Sequence, residues 1–456
     1  MKIDITAKLH NNDRNSLLRI SVLIFGYLSS FVFLWYGHEI WGGVIALGIL
    51  TFIGVSISKL NILHPFTWFI PLFFLYSVSM PVLVGVGDWE YVEGIKQTLI
   101  LEWVALITLM LVFGRDINKD TDYNPKILFN LKVVTLPLYL VSLGLTMIYM
   151  AYVFSKGLSS KYAISLDQSV FSKLGSFFTI FILSFILLLA HNLIIKKKIP
   201  KLLIFFTYAY AFVALLILGE RDIILRVVLS SLLLLHALYK PLTRKTIVLF
   251  GAVLLAIIPI LSNLKNFAFE GVRTTYEDAS FLVTLFGSEF ISASRNLNKL
   301  ITNPDMWTYF YGETILWDIK KATFGIADSP GSWFNQLFYP NLIARGGGNG
   351  FTVVGEGYMN FGIFGVILFF VFIGLTLKFL YKKASQNMLW LAVYITSIPI
   401  FVYVIRADLA TLITQLSKHI ILPIVLIYVV KRILEKSLIT VKGRGENGFI
   451  TIKRQN

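Results

Sequence analysis

A carboxylate and an amide stand where a long apolar run begins. In RGGGNGFTVVGEGYMNFGIFG, residues 345–365, Glu356 and Asn360 are four apart, so on a helix they share a face. Glu356 falls in the first turns of that helix, where free backbone N–H groups favour a negative charge. A carboxylate so placed suits a general base that takes a proton from a hydroxyl. Asp408 is a second candidate for that role. Asp408, Thr411, Gln415 and Lys418 are spaced three, four and three, which again predicts one helical face, with His419 beside it and Arg406 above. Lys418 would sit about 15 Å down that helix, facing a bundle interior or a wet cavity unless its stem snorkels outward.

The arginines suit a different task. Arg221 opens an apolar run, at the end of a helix that already carries positive partial charge. Either Glu220 and Asp222 compensate it, or Arg221 and the helix end bind a phosphate together. Arg226 lies four residues after Asp222, so these two can pair on one face about a turn deeper. Arg345 precedes GGGNG, a stretch that lets the backbone turn sharply and approach an anion. The alternative for this stretch is that its glycines permit tight helix packing and that Glu356 pairs with an arginine.

These residues must be positioned by membrane helices. The chain has 456 residues, 56% hydrophobic and only 14% charged, where a soluble protein carries about a quarter charged. Apolar runs long enough for a 30 Å hydrocarbon core recur along its length. The composition therefore predicts an all-α polytopic membrane protein, and excludes a β-barrel, whose segments would be short and alternating. Twelve spans are predicted, at 17–36, 39–57, 65–86, 97–114, 133–155, 175–195, 200–218, 222–239, 246–264, 351–377, 387–405 and 409–430. Together they form a single integral membrane domain, 1–456, with one large loop, 265–350, between spans nine and ten. The first apolar run lacks a small-residue cleavage site and reads as a retained helix. The absence of cysteine excludes thiolate chemistry and disulfides.

Charge sets the orientation. With both termini cytoplasmic, 26 of the 41 basic residues lie inside, repeating at alternate turns. The net charge of +16 is then a topological signal and not a nucleic-acid footprint. Polar groups gather outside: GERD (219–222), the 265–350 loop, the start of span ten, RAD (406–408), and Glu39, Asp88 and Glu90 in the early turns. The loop is dense in aromatics, from Trp307 to Tyr339, suited either to sugar faces or to the headgroup zone, and FLVTLFGSEFISASRNL (281–297) reads as a partly inserted amphipathic helix. The histidines show no zinc spacing and DTD at 120–122 has no carrier fold around it, so neither metal nor soluble cofactor is predicted.

The order of these motifs resembles the Wzy-type oligosaccharide repeat-unit polymerases of O-antigen, capsule and enterobacterial common antigen. LGERDIILR resembles the family's G-x-R segment; a long external loop follows, then the Gly-rich GNGFTVVGEGYMNFGIFGVIL and the arginine–acid pair in IRADL. The resemblance covers roughly residues 210–430. It implies a metal-independent membrane glycosyltransferase that joins repeat units carried on undecaprenyl pyrophosphate at the outer face of the bacterial inner membrane. It implies Arg221 and Arg406 as pyrophosphate ligands, with Arg295 supplied by LFGSEFISASRNL. Membrane lipid, a chain-length regulator and a flippase are the partners it implies, and no nucleic acid. Displacement at an anomeric carbon needs leaving-group charge stabilised, which clustered arginines do well, and a base for the acceptor hydroxyl, here Glu356 first and Asp408 second, with Glu39, Asp88 and Glu90 of the early outer turns as rivals. Three other readings stand beside it, one of them a non-catalytic scaffold, which would leave Lys418 and Arg226 unexplained. An O-antigen ligase shares donor and architecture but transfers to lipid A core; a flippase or other transporter would show related halves around a midplane site.

Overall fold

The computed structural model describes residues 21, 23–114, 131–157, 169–196, 198–218, 221–249, 251–253, 281–324, 329–344 and 348–444, and every regular element among them is helical. Six helices are long and apolar enough to cross a membrane, and Leu23–Tyr36, Trp41–Ile57 and Met388–Val404 are shorter apolar helices. Each of the twelve predicted segments overlaps a helix among the described residues, while six helices have the length and hydropathy of a membrane span. The chain is a multi-pass helical membrane protein.

It divides into two compact units, Met1–Pro125 with Leu229–Gln415, and Lys126–Val228 with Leu416–Asn456. The first begins with α1 (Leu23–Tyr36), α2 (Trp41–Ile57), α3 (Pro65–Gly85) and α4 (Ile95–Phe113). Pro65 at the first helical position and His64, whose Nδ1 accepts the Phe66 N–H at 3.1 Å, start α3 sharply. The second unit contains α5 (Leu131–Ser155), α6 (Phe177–Lys196), α7 (Lys201–Leu218) and the first turns of α8 (Arg221–Leu238). Here α5 lies along α6, and Tyr139 and Thr207 tie α5 to α7 by a 2.9 Å hydrogen bond. Arg226 pairs with Asp222 at 3.1 Å, as their spacing predicts.

The remaining helices of the first unit are α9 (Ile291–Thr302), α10 (Glu313–Phe324), α11 (Pro330–Phe338), α12 (Val353–Ala384), α13 (Met388–Val404) and α14 (Leu409–Leu416). The chain closes with a π turn, Ser417–Ile421, and α15 (Leu422–Arg444). That π turn ends the straight α register before Lys418, so the predicted single face from Asp408 to Lys418 does not run unbroken. Lys418 is half-buried in the π turn, and within the second unit its carbonyl accepts from Thr179 Oγ1.

Two findings revise the view of the long loop. Its described part is largely helical and folded on the bundle. Residues 281–302 form a short α segment, a π turn and α9, and the buried face of α9 lies against α3 and α4. Ser294 Oγ accepts the Met80 N–H, and Asn298 Nδ2 donates to Glu93 O at 2.7 Å. The amphipathic helix exists, but its inner face meets protein. The loop aromatics pack chiefly on one another: Phe334 and Phe338 with Leu300, Phe351 and Met359 form a core, flanked by Trp307, Phe310, Trp333 and Tyr339.

The second finding concerns span ten. Its helix runs on to Ala384 but breaks at Phe361 and Gly362, whose φ of 60° is left-handed. Residues eight apart on a straight helix are about 12 Å apart. Across this break the backbones of Gly357 and Gly365 touch: a Cβ on Gly357 would lie 2.8 Å from the Gly365 oxygen. Val353–Asn360 is thus an arm folded back against the longer half. Lys378 anchors that half by donating to Val112 O at 2.8 Å and Phe113 O at 3.2 Å, the free carbonyls ending α4.

Candidate active site

The arm brings Glu356 to the N-terminus of α14. Glu356 is fully buried, and its Oε2 accepts the Leu409 N–H at 2.6 Å. Its Oε1 accepts from Thr314 Oγ1 at 3.3 Å. Helix-end N–H groups do stabilise this carboxylate, but those of α14, and its hydrogen-bond partners among the described residues are the Thr314 hydroxyl and the Leu409 N–H, with no arginine beside them. Asn360 shares the face, as its spacing predicts. Its Nδ2 donates to Glu356 O at 2.9 Å and to Thr314 Oγ1 at 2.7 Å, and its Oδ1 accepts the Gly312 N–H at 2.9 Å. Phe310 N–H donates to Met359 O at 3.0 Å, satisfying a carbonyl freed by the break.

Asp408 is the N-cap of α14. Its Oδ1 accepts the Thr411 N–H at 2.8 Å and the Thr411 hydroxyl, while Oδ2 accepts the Gly331 N–H at 3.1 Å, in the first turn of α11. One carboxyl therefore serves the free N–H groups of two helices.

The third acid was passed over in the sequence as one loop charge among many. Asp318, on α10, is fully buried, and neither carboxyl oxygen closes a hydrogen bond of normal geometry, although the Glu356 carboxyl and the Ala410 N–H act on it. Burial first, and then the Asp408 charge, push its carboxyl up to about 7, against the pull of Glu356, Lys321 and the Ala410 N–H. A signal for it was present. Thr314 and Asp318 are four apart and buried, whereas Leu316 and Ile319 on the same helix are 57% and 50% exposed. Its two buried side chains are polar, while Leu316 and Ile319 stand outward beside the exposed Glu313 and Lys320. The three acids do not converge into a cage: among the described residues no group of three His, Asp or Glu side chains is placed to hold a metal ion.

Basic residues lie on two elements that meet at Gly350, the segment before α14 and α9. Arg406, two residues before Asp408, is half-buried with its guanidinium 5.3 Å from the Tyr403 ring. Its carbonyl is approached by Gly350, where a Cβ would come within 2.7 Å of it; only glycine fits this crossing. The end of the Gly-rich stretch is latched by Asn335, which bonds Asn349 O and N at 2.9 and 2.8 Å, and by Asn296 Nδ2, which donates to Gly350 O. One turn along α9, Lys299 lies 4.2 Å and Arg295 5.7 Å from the Tyr339 ring. Tyr339 donates to Asn296 Oδ1 at 2.9 Å. Burial, then the Arg295 charge, lower the Lys299 ammonium; burial raises the Tyr339 hydroxyl, against the Arg295 pull. Beside them, Phe338–Leu342 line a recess of about 330 Å³. A larger hollow of about 480 Å³ on α5 and α7, lined by Met147, Phe154, Val213 and their neighbours, is apolar and holds no group for this chemistry.

The other candidates are placed less fully. Arg221 opens α8, but its side chain, that of His419, and all of Arg345 and of DTD at 120–122 lie outside the described residues. Glu39, Asp88 and Glu90 are exposed, and Tyr91 donates to Glu39 Oε1 at 3.1 Å.

Fold and site together define a multi-pass membrane protein in which helices of one long loop pack beside the buried acids at the start of α14. The chain belongs to the O-antigen polysaccharide polymerase Wzy family, whose model matches residues 16–437. Membership makes it a membrane transferase of polysaccharide biosynthesis that polymerises lipid-linked repeat units. No curated protein and no solved structure matches the chain.

Proposed function

We propose that this protein joins undecaprenyl-pyrophosphate-linked oligosaccharide units into O-antigen or capsular polysaccharide at the outer face of the bacterial inner membrane. Both termini are then cytoplasmic, and the whole chain works as one membrane-embedded domain beside a flippase and a chain-length regulator. The observation that carries the reading is the juxtaposition at α14: Glu356 on its N-terminus, Arg406 just before it, in a chain of this family. The pyrophosphate of the growing chain lies toward Arg406, with Arg295 and Lys299 of α9 adding positive charge. Arginine forks suit the departing phosphate and need no metal. Glu356 takes the acceptor hydroxyl's proton. Asp408, its oxygens engaged by backbone N–H groups and the Thr411 hydroxyl, holds the frame.

The test is polymerisation in vitro with purified lipid-linked repeat unit. Glu356→Gln keeps shape and hydrogen bonding without the base, and loses polymer while donor still binds. Arg406→Ala loses polymer with the protein still in the membrane, and Arg406→Lys restores little, since a point charge lacks the fork. Normal turnover by Glu356→Gln sinks its role as base. Deleting the gene decides the reaction: a ligase loss strips all units from lipid A core, whereas polymerase loss leaves a single unit.

A further inference from the structure

The outward side of α10 carries two strips. Leu316, Ile319 and Thr323 form one, with Leu316 57% and Ile319 50% exposed, and Glu313 and Lys320 border it. Thr314 and Asp318, both fully buried, lie on the opposite side of the helix. An apolar strip beside a charged one suits the boundary between headgroups and acyl chains. In α9, by contrast, the inner face is already covered by α3 and α4.

The apolar strip continues a surface that lipid must cover. The turn into α10 abuts the break in α12: a Cβ on Gly312 would lie 3.1 Å from Phe361 Cζ, and one on Gly362 would lie 3.8 Å from Tyr309 Oη. Beyond the break, α12 runs on as a candidate membrane span, and its outward side carries Phe364 and Leu368, 75% and 52% exposed. On a spanning helix such side chains meet acyl chains. Tyr309 and Tyr311, 42% and 76% exposed, stand at the join, and tyrosine rings favour the membrane–water interface. A soluble partner on α10 would have to displace lipid from this continuous surface.

The inner side of α10 is fastened to the folded-back arm. Thr314 Oγ1 donates to Glu356 Oε1 at 3.3 Å and accepts from Asn360 Nδ2 at 2.7 Å, and the Gly312 N–H donates to Asn360 Oδ1 at 2.9 Å. Trp317 packs edge-on against Phe310 at 5.3 Å, and the Phe310 N–H donates to Met359 O at 3.0 Å. Where α10 goes, Glu356 goes.

We propose that α10 is an in-plane membrane helix: Leu316 and Ile319 dock it in the outer leaflet, and Thr314, on its far side, sets the height of Glu356. This rests on the polymerase reading, which supplies the side of the membrane and the role of Glu356 as base. An in-plane helix seats its apolar face about 5–10 Å into the headgroup–acyl boundary, and a helix with its side chains is about 10–12 Å across. Glu356 therefore lies in the headgroup layer. That is the height at which the pyrophosphate of a lipid-linked substrate ends and its first sugar begins.

The experiment uses the full-length protein in lipid nanodiscs. Because the chain has no cysteine, a nitroxide can be placed singly at Ile319→Cys, at Phe364→Cys as the lipid reference, and at the exposed Asp305→Cys as the water reference. Collisions with oxygen and with a water-soluble nickel chelate report depth. Ile319 should follow Phe364, losing nickel collisions and gaining oxygen collisions, about 5–10 Å below the phosphates. A label at 319 as open to nickel as the one at 305 overturns the docking, whatever reaction the protein performs. A label closed to both reagents, with dipolar broadening between labelled copies, gives the face to a second copy and also overturns it. The height of Glu356 is tested by Ile319→Glu, with depth read from a label at Leu316→Cys and polymerisation measured on purified lipid-linked repeat unit. The label should move toward water and the rate should fall on the order of 100-fold, as for a misplacement of about 1 Å at a reacting group, with melting temperature unchanged. Ile319→Leu should keep the wild-type depth and rate, and Ile319→Ser should fall between, which covers a glutamate variant that does not fold. An unmoved label in Ile319→Glu overturns the strip as anchor, and a lifted helix with normal turnover overturns the height claim. Wild type inactive on the repeat unit ends the polymerase reading and the height claim with it, while the depth measurement still decides the docking.

Discussion

Gly365→Ala isolates what the folded-back arm does. A Cβ at this position would overlap the Gly357 carbonyl oxygen, and the reciprocal Cβ on Gly357 would sit 2.8 Å from the Gly365 oxygen, against a contact distance of roughly 3.5 Å. The obstacle is backbone on both sides, so no rotamer relieves it. Overpacking of this kind costs about 1–3 kcal/mol. The arm, Val353–Asn360, is the shorter partner and gives way, while the longer half stays fixed on α4 through Lys378. Glu356 then leaves the Leu409 N–H, now at 2.6 Å. A displacement of about 1 Å at a reacting group costs on the order of 100-fold in rate. The assay is polymer formed from purified lipid-linked repeat unit, with the amount and melting temperature of the solubilised protein measured in parallel. Gly365→Ala should yield folded protein with polymerisation down about 100-fold. Gly144→Ala is the control: nothing lies within 4 Å of its Cβ, and alanine in a helix interior should leave activity intact and add up to about 1 kcal/mol of stability. A wild-type rate in Gly365→Ala would refute the claim that the arm's position sets the site.

Other consequences follow from the same geometry. Asp408→Ala removes caps from α11 and α14 and should destabilise by about 1–3 kcal/mol, seen as a lower thermal midpoint; Asp408→Asn keeps one acceptor oxygen and should recover part of it, and equal midpoints for wild type and alanine would discount the double cap. Because the chain has no cysteine, a single one at Asn303 should react with an impermeant thiol reagent in intact spheroplasts and one at Lys197 should not; reversed labelling would invert the proposed orientation.

The membrane class and the helical segments were legible in the sequence, because each rests on local physics. An apolar run of about 20 residues is a membrane helix wherever it occurs, and a spacing of four puts Glu356 with Asn360 and Asp222 with Arg226 on shared faces, as found. Partners across the chain are another matter. Nothing near Asp408 in sequence says that Gly331 will donate to it, and nothing near Glu356 names Leu409. Helix spacing also presumed an unbroken ladder; the Phe361–Gly362 break and the π turn at Ser417–Ile421 each shift what comes after them. Asp318 shows the difference most plainly. In sequence it is one of many loop acids beside exposed Lys320. It becomes distinctive when α10 turns its polar face inward, because only burial among other carboxyls, out of reach of water, makes an unpaired acid expensive enough to hold a proton near neutral pH.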